Sequence, residues 1–374
     1  MTSYFKKLQF RQLWKKIFLR YTAPVAYLPF ALACASDGIW PTPTYIEYDS
    51  SKKTLSTTSP VSPDKIVRFK FQPNGYNNLP NPRGLSVANF GEPHNAHYEE
   101  FNVADSEWFG VMLINAKHNG DGKTNIATGG NHGSSGGAGG AKTARNIKYD
   151  VYSNNKILDT DYAGYVDGLT INVVNELMAS DTISLGRFVL RQEYWISISG
   201  NAIGVHAKYT ALEDIVIKRD RALQLNTQGY RDSALFLDGN VRGRTRWDSV
   251  TSNSGPRNSS PNAWAALLKG KYGVLGVWMD RSFGAATELS TVAEDAPLIH
   301  GPGNTKSHKL YNAIVYKSQR MLAAGESYEW RGGYSWSGTE PPPQNIDSVL
   351  HKLINKTTET ILVFPDGRSK LVTK

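Results

Sequence analysis

The run Gly129-Gly130-Asn131-His132-Gly133-Ser134-Ser135-Gly136-Gly137-Ala138-Gly139-Gly140 sets one amide and one imidazole inside a loop saturated with glycine. Glycine is costly to order, so such a loop is seldom there for stability, and function concentrates on loops. An amide such as Asn131 can stabilise a developing negative charge, and an imidazole such as His132 can take a proton. Together they suit proton abstraction beside a uronate carboxylate, the chemistry of a β-eliminating polysaccharide lyase. The same pair, flanked by Gly130 and Gly133, also suits a loop that only holds sugar hydroxyls. A third reading is a plain turn, in which Asn tolerates positive φ and His has no task.

Arg191 and His206 extend the first reading. In Arg187-Phe-Val-Leu-Arg191-Gln-Glu193-Tyr194 a period of two sets Arg187, Val189, Arg191 and Glu193 on one face and Phe188, Leu190, Gln192 and Tyr194 on the other. Arg191 then either clamps a carboxylate or forms an exposed ion pair with Glu193, and Tyr194 belongs to the core. His206 and Lys208 alternate with Val205 and Ala207, which makes His206 a second candidate base and Lys208 a candidate binding residue. Near the end of the β-rich region, Trp330, Arg331, Tyr334 and Trp336 bring rings beside a guanidinium. Sugar C–H faces stack on such rings while hydroxyls need planar polar groups, although aromatics in a sandwich pack in the core by default. His94 and His97 stand among carboxylates at a spacing compatible with a metal, but without helical context; neither a metal site nor a cofactor is expected.

These residues need elements to hold them. Between Ile66 and Trp330 the chain reads as short alternating or β-branched runs cut by Gly, Asn and Asp, with little sustained helical period. The expected fold is all-β, a large antiparallel β-sandwich over residues 64–340. Residues 36–63 carry Pro41, Pro43, Pro60 and Pro63 among Ser and Thr and read as an extended linker. Residues 1–35 are basic, then apolar up to Cys34, and suit either a retained amphipathic helical arm or a lipoprotein-type signal. Residues 341–374 read as a small module, a helix over 345–355 followed by a hairpin about Pro365-Asp366-Gly367.

Composition bounds the partners. The chain has 374 residues, a formal net charge of +9 and one cysteine, which excludes an intrachain disulfide framework. A basic balance favours acidic partners. No zinc-finger spacing, recognition-helix pattern or RNP-like motif is present, so nucleic acid is not an expected partner. The order GGNHG, RQEYWISISG, TALEDIVIKRDRALQL, NTKSHK and AGESYEWRGGYSW resembles that of β-sandwich proteins encoded by tailed phages. It is distantly similar to the super-sandwich of polysaccharide lyases and mutarotase-like domains, over about residues 108–337. The resemblance implies a virion or cell-surface setting and a polysaccharide or cell-surface glycan as ligand. Contacts with other virion proteins through the N-terminal arm or C-terminal hairpin, and a homo-oligomer, are further expectations. Two functions follow: glycan recognition, or lyase action with Asn131 as neutraliser, His132 or His206 as base and Arg191 as clamp. Only the second requires all four residues within about 15 Å of one another, because catalytic hydrogen bonds need near contact. A bacterial surface lipoprotein that binds polysaccharide is a third reading.

Overall fold

The computed structural model describes residues 44–62, 64–91, 93–100, 108–135, 140–153, 156–227, 229–230, 232–237, 242–245, 263–288, 292, 299–300, 309–338, 362–363 and 369–370. The basic arm, Cys34 and the helix expected over 345–355 lie outside these residues. In chain order the strands begin with β1 (Thr44–Asp49), β2 (Thr54–Ser62), β3 (Lys65–Asn74), β4 (Leu79–Asn89), β5 (Glu99–Glu100) and β6 (Met112–Ala116). There follow β7 (Ala144–Ser153), β8 (Lys156–Ile157), β9 (Tyr162–Val166), β10 (Leu169–Met178), β11 (Phe188–Ser199) and β12 (Ala202–Ala211). Next come β13 (Ile215–Asp220), β14 (Gln224–Asn226), β15 (Ser233–Leu237), β16 (Arg242–Thr245), β17 (Ala265–Gly270) and β18 (Gly273–Met279). The last are β19 (Ile299–His300), β20 (Lys309–Asn312), β21 (Arg320–Leu322), β22 (Ser327–Ser337) and a two-stranded ribbon of β23 (Leu362–Val363) and β24 (Ser369–Lys370).

The fold is the antiparallel sandwich that the strand periodicity predicts. One layer is a ten-stranded sheet in the order β16-β15-β17-β18-β22-β12-β11-β10-β7-β8. Facing it are a six-stranded sheet, β5-β4-β3-β2-β1-β9, and two three-stranded sheets, β21-β13-β6 and β14-β20-β19. One apolar core joins the layers, with Ile46, Leu55, Phe69 and Phe71 from one side and Val151, Ile171, Ile196 and Trp336 from the other. Phe71 stacks on Tyr149 at 5.8 Å between centroids, and Trp108 lies 4.4 Å from Tyr334. Such ring pairs add roughly 0.5–1.5 kcal/mol beyond the area they bury.

Residues 44–62, read from the sequence as part of a linker, are instead strands of the six-stranded sheet. Thr44, Ile46 and Tyr48 alternate into the core, as do Leu55, Thr57, Ser59 and Val61. Ser and Thr on a half-buried pleat satisfy their hydroxyls locally, as Ser59 does by donating to Thr44 Oγ1. Pro60 sits where the β2–β3 register shifts, a place where a missing N–H costs no ladder bond. Composition suggested a linker, and the period of two was the better guide.

Candidate functional site

The glycine loop is tied down from below. Asn77, in the turn between β3 and β4, is 4% exposed. Its Nδ2 donates to the carbonyls of Gly129 at 3.2 Å, Gly130 at 3.1 Å and His132 at 2.6 Å. Its Oδ1 accepts from the N–H groups of Thr143 at 2.8 Å and Ala144 at 3.2 Å. Gly75 in the same turn has φ +69° and stands so close that a Cβ would lie 2.5 Å from Asn131 Cα. Asn131, Gly130 and Gly133 are all buried. The loop therefore latches the six-stranded sheet to the start of β7, and Gly75 of the turn permits that close approach.

The outer face of the ten-stranded sheet carries a second assembly, built by register. Pairing across β7, β10, β11, β12 and β22 aligns Asp150, Asn172, Trp195, His206 and Arg331 in one row. The next outward row is Lys148, Val174, Glu193, Lys208 and Glu329. A third holds Arg145, Glu176, Arg191 and Thr210. Side chains alternate faces along a strand, so all three rows point away from the core.

His206 is the centre of the first row. Its side chain is 17% exposed and its Nε2 lies 2.9 Å from Glu329 Oε2. Burial lowers its pKa, against the opposing pull of Glu329, so the ring is neutral at pH 7. A carboxylate only accepts, which puts the ring proton on Nε2 and leaves Nδ1 as an acceptor. Nδ1 is buried and has no hydrogen-bond partner among the described residues. The imidazole packs at 5.4 Å from Trp195 and edge-on at 5.3 Å to Phe283. Arg331 lies 3.7 Å over the same Phe283 ring, and burial lowers its pKa as well. Phe283 is presented by a tight turn in which Asp280 Oδ1 accepts from the N–H and Oγ of Ser282 at 3.0 and 2.7 Å. That turn presses on β22 through Gly284, φ +56°, where any Cβ would overlap the Glu329 carbonyl. Half-buried Trp195 thus stands among an imidazole, a guanidinium and carboxylates, a set that can stack on an apolar sugar face and bond its hydroxyls.

Arg191 lies in the third row and has a different partner from the one its strand suggested. Its Nη2 donates to Glu176 Oε1 at 2.8 Å, not to Glu193. Arg145 donates to Glu176 Oε2 through Nε at 3.1 Å and Nη2 at 2.6 Å. Burial pushes the Glu176 carboxyl up, but hydrogen bonds from Arg191 and then Arg145 overcome it and hold the pKa below its usual value. Arg191 is therefore committed to an internal carboxylate.

The four residues of the eliminase reading do not gather. Gly129 packs on Leu177, which faces the core and pairs with Leu190, and Leu190 pairs with Ala211. His206 lies five residues along β12 from Ala211, about 16 Å at the rise of a strand, and on the opposite face of the sheet. Arg191, four residues off in the same sense, is about 14 Å from His206. Trp330, Tyr334 and Trp336, expected as binding residues, are 0%, 0% and 4% exposed and point into the core. Odd positions of β22 face out and even ones in, so Arg331 alone of that group reaches the outer face together with Glu329. Lys208 lies beside them as expected. Glu329, Trp195 and Phe283 were missed; the first two share a face with His206 by simple alternation, and Phe283 arrives through a turn that has no periodic signal. Among the described residues no group of three or more His, Cys, Asp or Glu stands close enough for a metal, and His94 bonds with Asn95 instead.

No family model matches the chain, and no curated protein matches it in sequence. Among solved structures it is similar to the GH36 α-galactosidase AgaB from Geobacillus stearothermophilus, with 11% identity and TM-score 0.44 over 83% of this chain and 43% of that one. The galactosidase domain of the α-galactosidase-sucrose kinase AgaSK gives 14% and TM-score 0.45, over 83% of this chain and 44% of that one. Galactose 1-epimerase from Lactobacillus acidophilus gives 11% and TM-score 0.33, over 79% of this chain and 98% of that one. The chain spans less than half the length of the galactosidases.

Proposed function

We propose that this protein recognises a carbohydrate on the outer face of its ten-stranded sheet. The observation that carries the reading is the row centred on half-buried Trp195, with His206, Glu329, Arg331 and Lys208 around it. A ring for the apolar face of a sugar and fixed planar groups for its hydroxyls are what such a ligand needs. The setting we assign is a phage virion, where the ligand is a host surface polysaccharide. Support for that setting is the order of motifs from the glycine loop to residue 336, together with the positive net charge. In the same reading residues 1–35 or the C-terminal ribbon dock to other virion proteins, and the protein works as a homo-oligomer.

The test is a glycan array followed by titration of the best neutral oligosaccharide. Trp195→Ala and Arg331→Ala should each weaken binding about tenfold, while circular dichroism stays that of the parent. No rise in ultraviolet absorbance from an unsaturated product should accompany binding. Retained affinity in both variants, or such a rise with wild type, would overturn the reading.

A further inference from the structure

Two arginine pairs in this protein have opposite surroundings. Arg145 and Arg191 enclose Glu176. Arg219 and Arg221, at the end of β13, stand side by side, and no carboxylate among the described residues pairs with either. The Nε atoms of both are buried and have no hydrogen-bond partner among the described residues.

A bulge puts them there. Ile215 and Ile217 point into the core, and the register against β6 shifts between Ile217 and Arg219. The shift reverses the phase, so that Asp220 turns inward to accept from Tyr328 Oη at 2.7 Å while Arg219 and Arg221 turn outward together. Bulges are a device for re-aiming a side chain, and this one spends a ladder register to bring two like charges to one spot. Burial lowers the Arg219 pKa, and neighbouring Arg221 lowers it further. Two half-buried guanidiniums that repel each other and have no counter-charge among the described residues are costly unless an anion joins them. Arg221 is held in place, 4.1 Å over the Tyr311 ring.

We propose that Arg219 and Arg221 form an oxyanion site, on the layer opposite the Trp195 face, that takes the acidic group of a charged saccharide. A guanidinium fork matches a carboxylate or a sulfate ester by two parallel hydrogen bonds, and two forks side by side can grip one such group from both sides. The Tyr311 ring face is covered by Arg221 and so is not offered to a nucleic-acid base, which favours a saccharide over a polynucleotide. The inference that the ligand is a saccharide rests on the carbohydrate reading above; the site itself rests on the arginine pair.

The experiment titrates the full chain with a galacturonate oligomer, a sulfated dextran, unmodified dextran and a single-stranded oligonucleotide. Inorganic sulfate is added in a parallel melt. Wild type should bind one or both acidic saccharides, in a salt-sensitive manner, and sulfate should raise its Tm. Arg219→Gln and Arg221→Gln should each weaken acidic binding about tenfold and remove the sulfate shift. Arg219→Lys, which keeps the charge but not the fork, should restore the fold if Gln disturbs it and still bind more weakly than wild type. Unchanged acidic binding in the folded Gln variants, or an oligonucleotide bound as tightly as the acidic saccharides, overturns the proposal. Trp195→Ala should leave this binding intact, and a neutral glycan that binds through Trp195 while acidic ones do not would refute this site and spare the other.

Discussion

Asp220 shows how one buried group can set the pH response of the whole protein. It is 2% exposed, accepts from Tyr328 Oη and from the Ala222 N–H at 2.8 Å, and sits by the Tyr194–Tyr209 hydroxyl pair. Burial pushes its pKa up to about 6, against the pull of those hydrogen bonds. An aspartate whose folded pKa lies above its unfolded value near 3.9 holds its proton more tightly when folded. Its contribution is therefore neutral below about pH 4, turns increasingly unfavourable as pH rises from about 4 to 6, and costs about 3 kcal/mol at pH 7. Asp220→Asn keeps an acceptor for Ala222 and an N–H for Tyr328. It should raise stability at pH 7 by up to about 3 kcal/mol and flatten the stability profile between pH 4 and 6. Urea unfolding of both proteins at several pH values checks this; parallel profiles would contradict it. His206 has the opposite sign, since its lowered pKa makes the unfolded chain the better proton acceptor, so its share of stability is lost as pH falls through 6.5.

At the scale of elements, the glycine loop and the β3–β4 turn form one latch with Asn77 as its pin. Asn77→Ala would take its side-chain partner from the Gly130 carbonyl and from the Thr143 and Ala144 N–H groups in a place with little water, while the Gly129 and His132 carbonyls would keep the His132 N–H and the Thr143 hydroxyl. At 1–3 kcal/mol for a stranded group and some relaxation, the loss should be about 3–5 kcal/mol, read as a fall in the urea midpoint. A loss below about 0.5 kcal/mol would show that the loop is held by other means. The sequence made this loop conspicuous and hid its purpose. Glycine reports that the backbone must bend or approach closely, but the thing approached, Gly75-Tyr76-Asn77, lies more than fifty residues away and carries only an ordinary turn signal. Where one strand held the whole answer the reading was good: alternation in β11 and β12 correctly turned Tyr194 inward and Arg191, His206 and Lys208 outward. Partners across strands were beyond it, because register is a property of two segments. Arg191 consequently found Glu176, and Trp330, Tyr334 and Trp336 fell to the core by a one-residue phase that composition does not carry.

For the whole molecule, the consequential question is where the folding unit begins. Proline, Ser and Thr content suggested residue 64, yet β1 and β2 contribute Ile46, Tyr48, Leu55 and Val61 to the shared core, and Gly338 N donates to the Val61 carbonyl at 3.0 Å. β1 also carries β9 on its far edge, so removing residues 44–63 would expose one side of β3 and orphan β9 as well. Each buried apolar side chain contributes roughly 1.5–3 kcal/mol, and the four lost together approach the entire stability of an ordinary domain. A chain beginning at Asp64 should therefore lose cooperative melting and become open to protease. The sandwich would then be shown to need all of its six-stranded layer to hold the outer face in register, Trp195 and His206 included. If the Asp64 chain instead melted cooperatively and bound the same glycan, the ten-stranded sheet would stand without that cover and the shared core would not be what fixes the site.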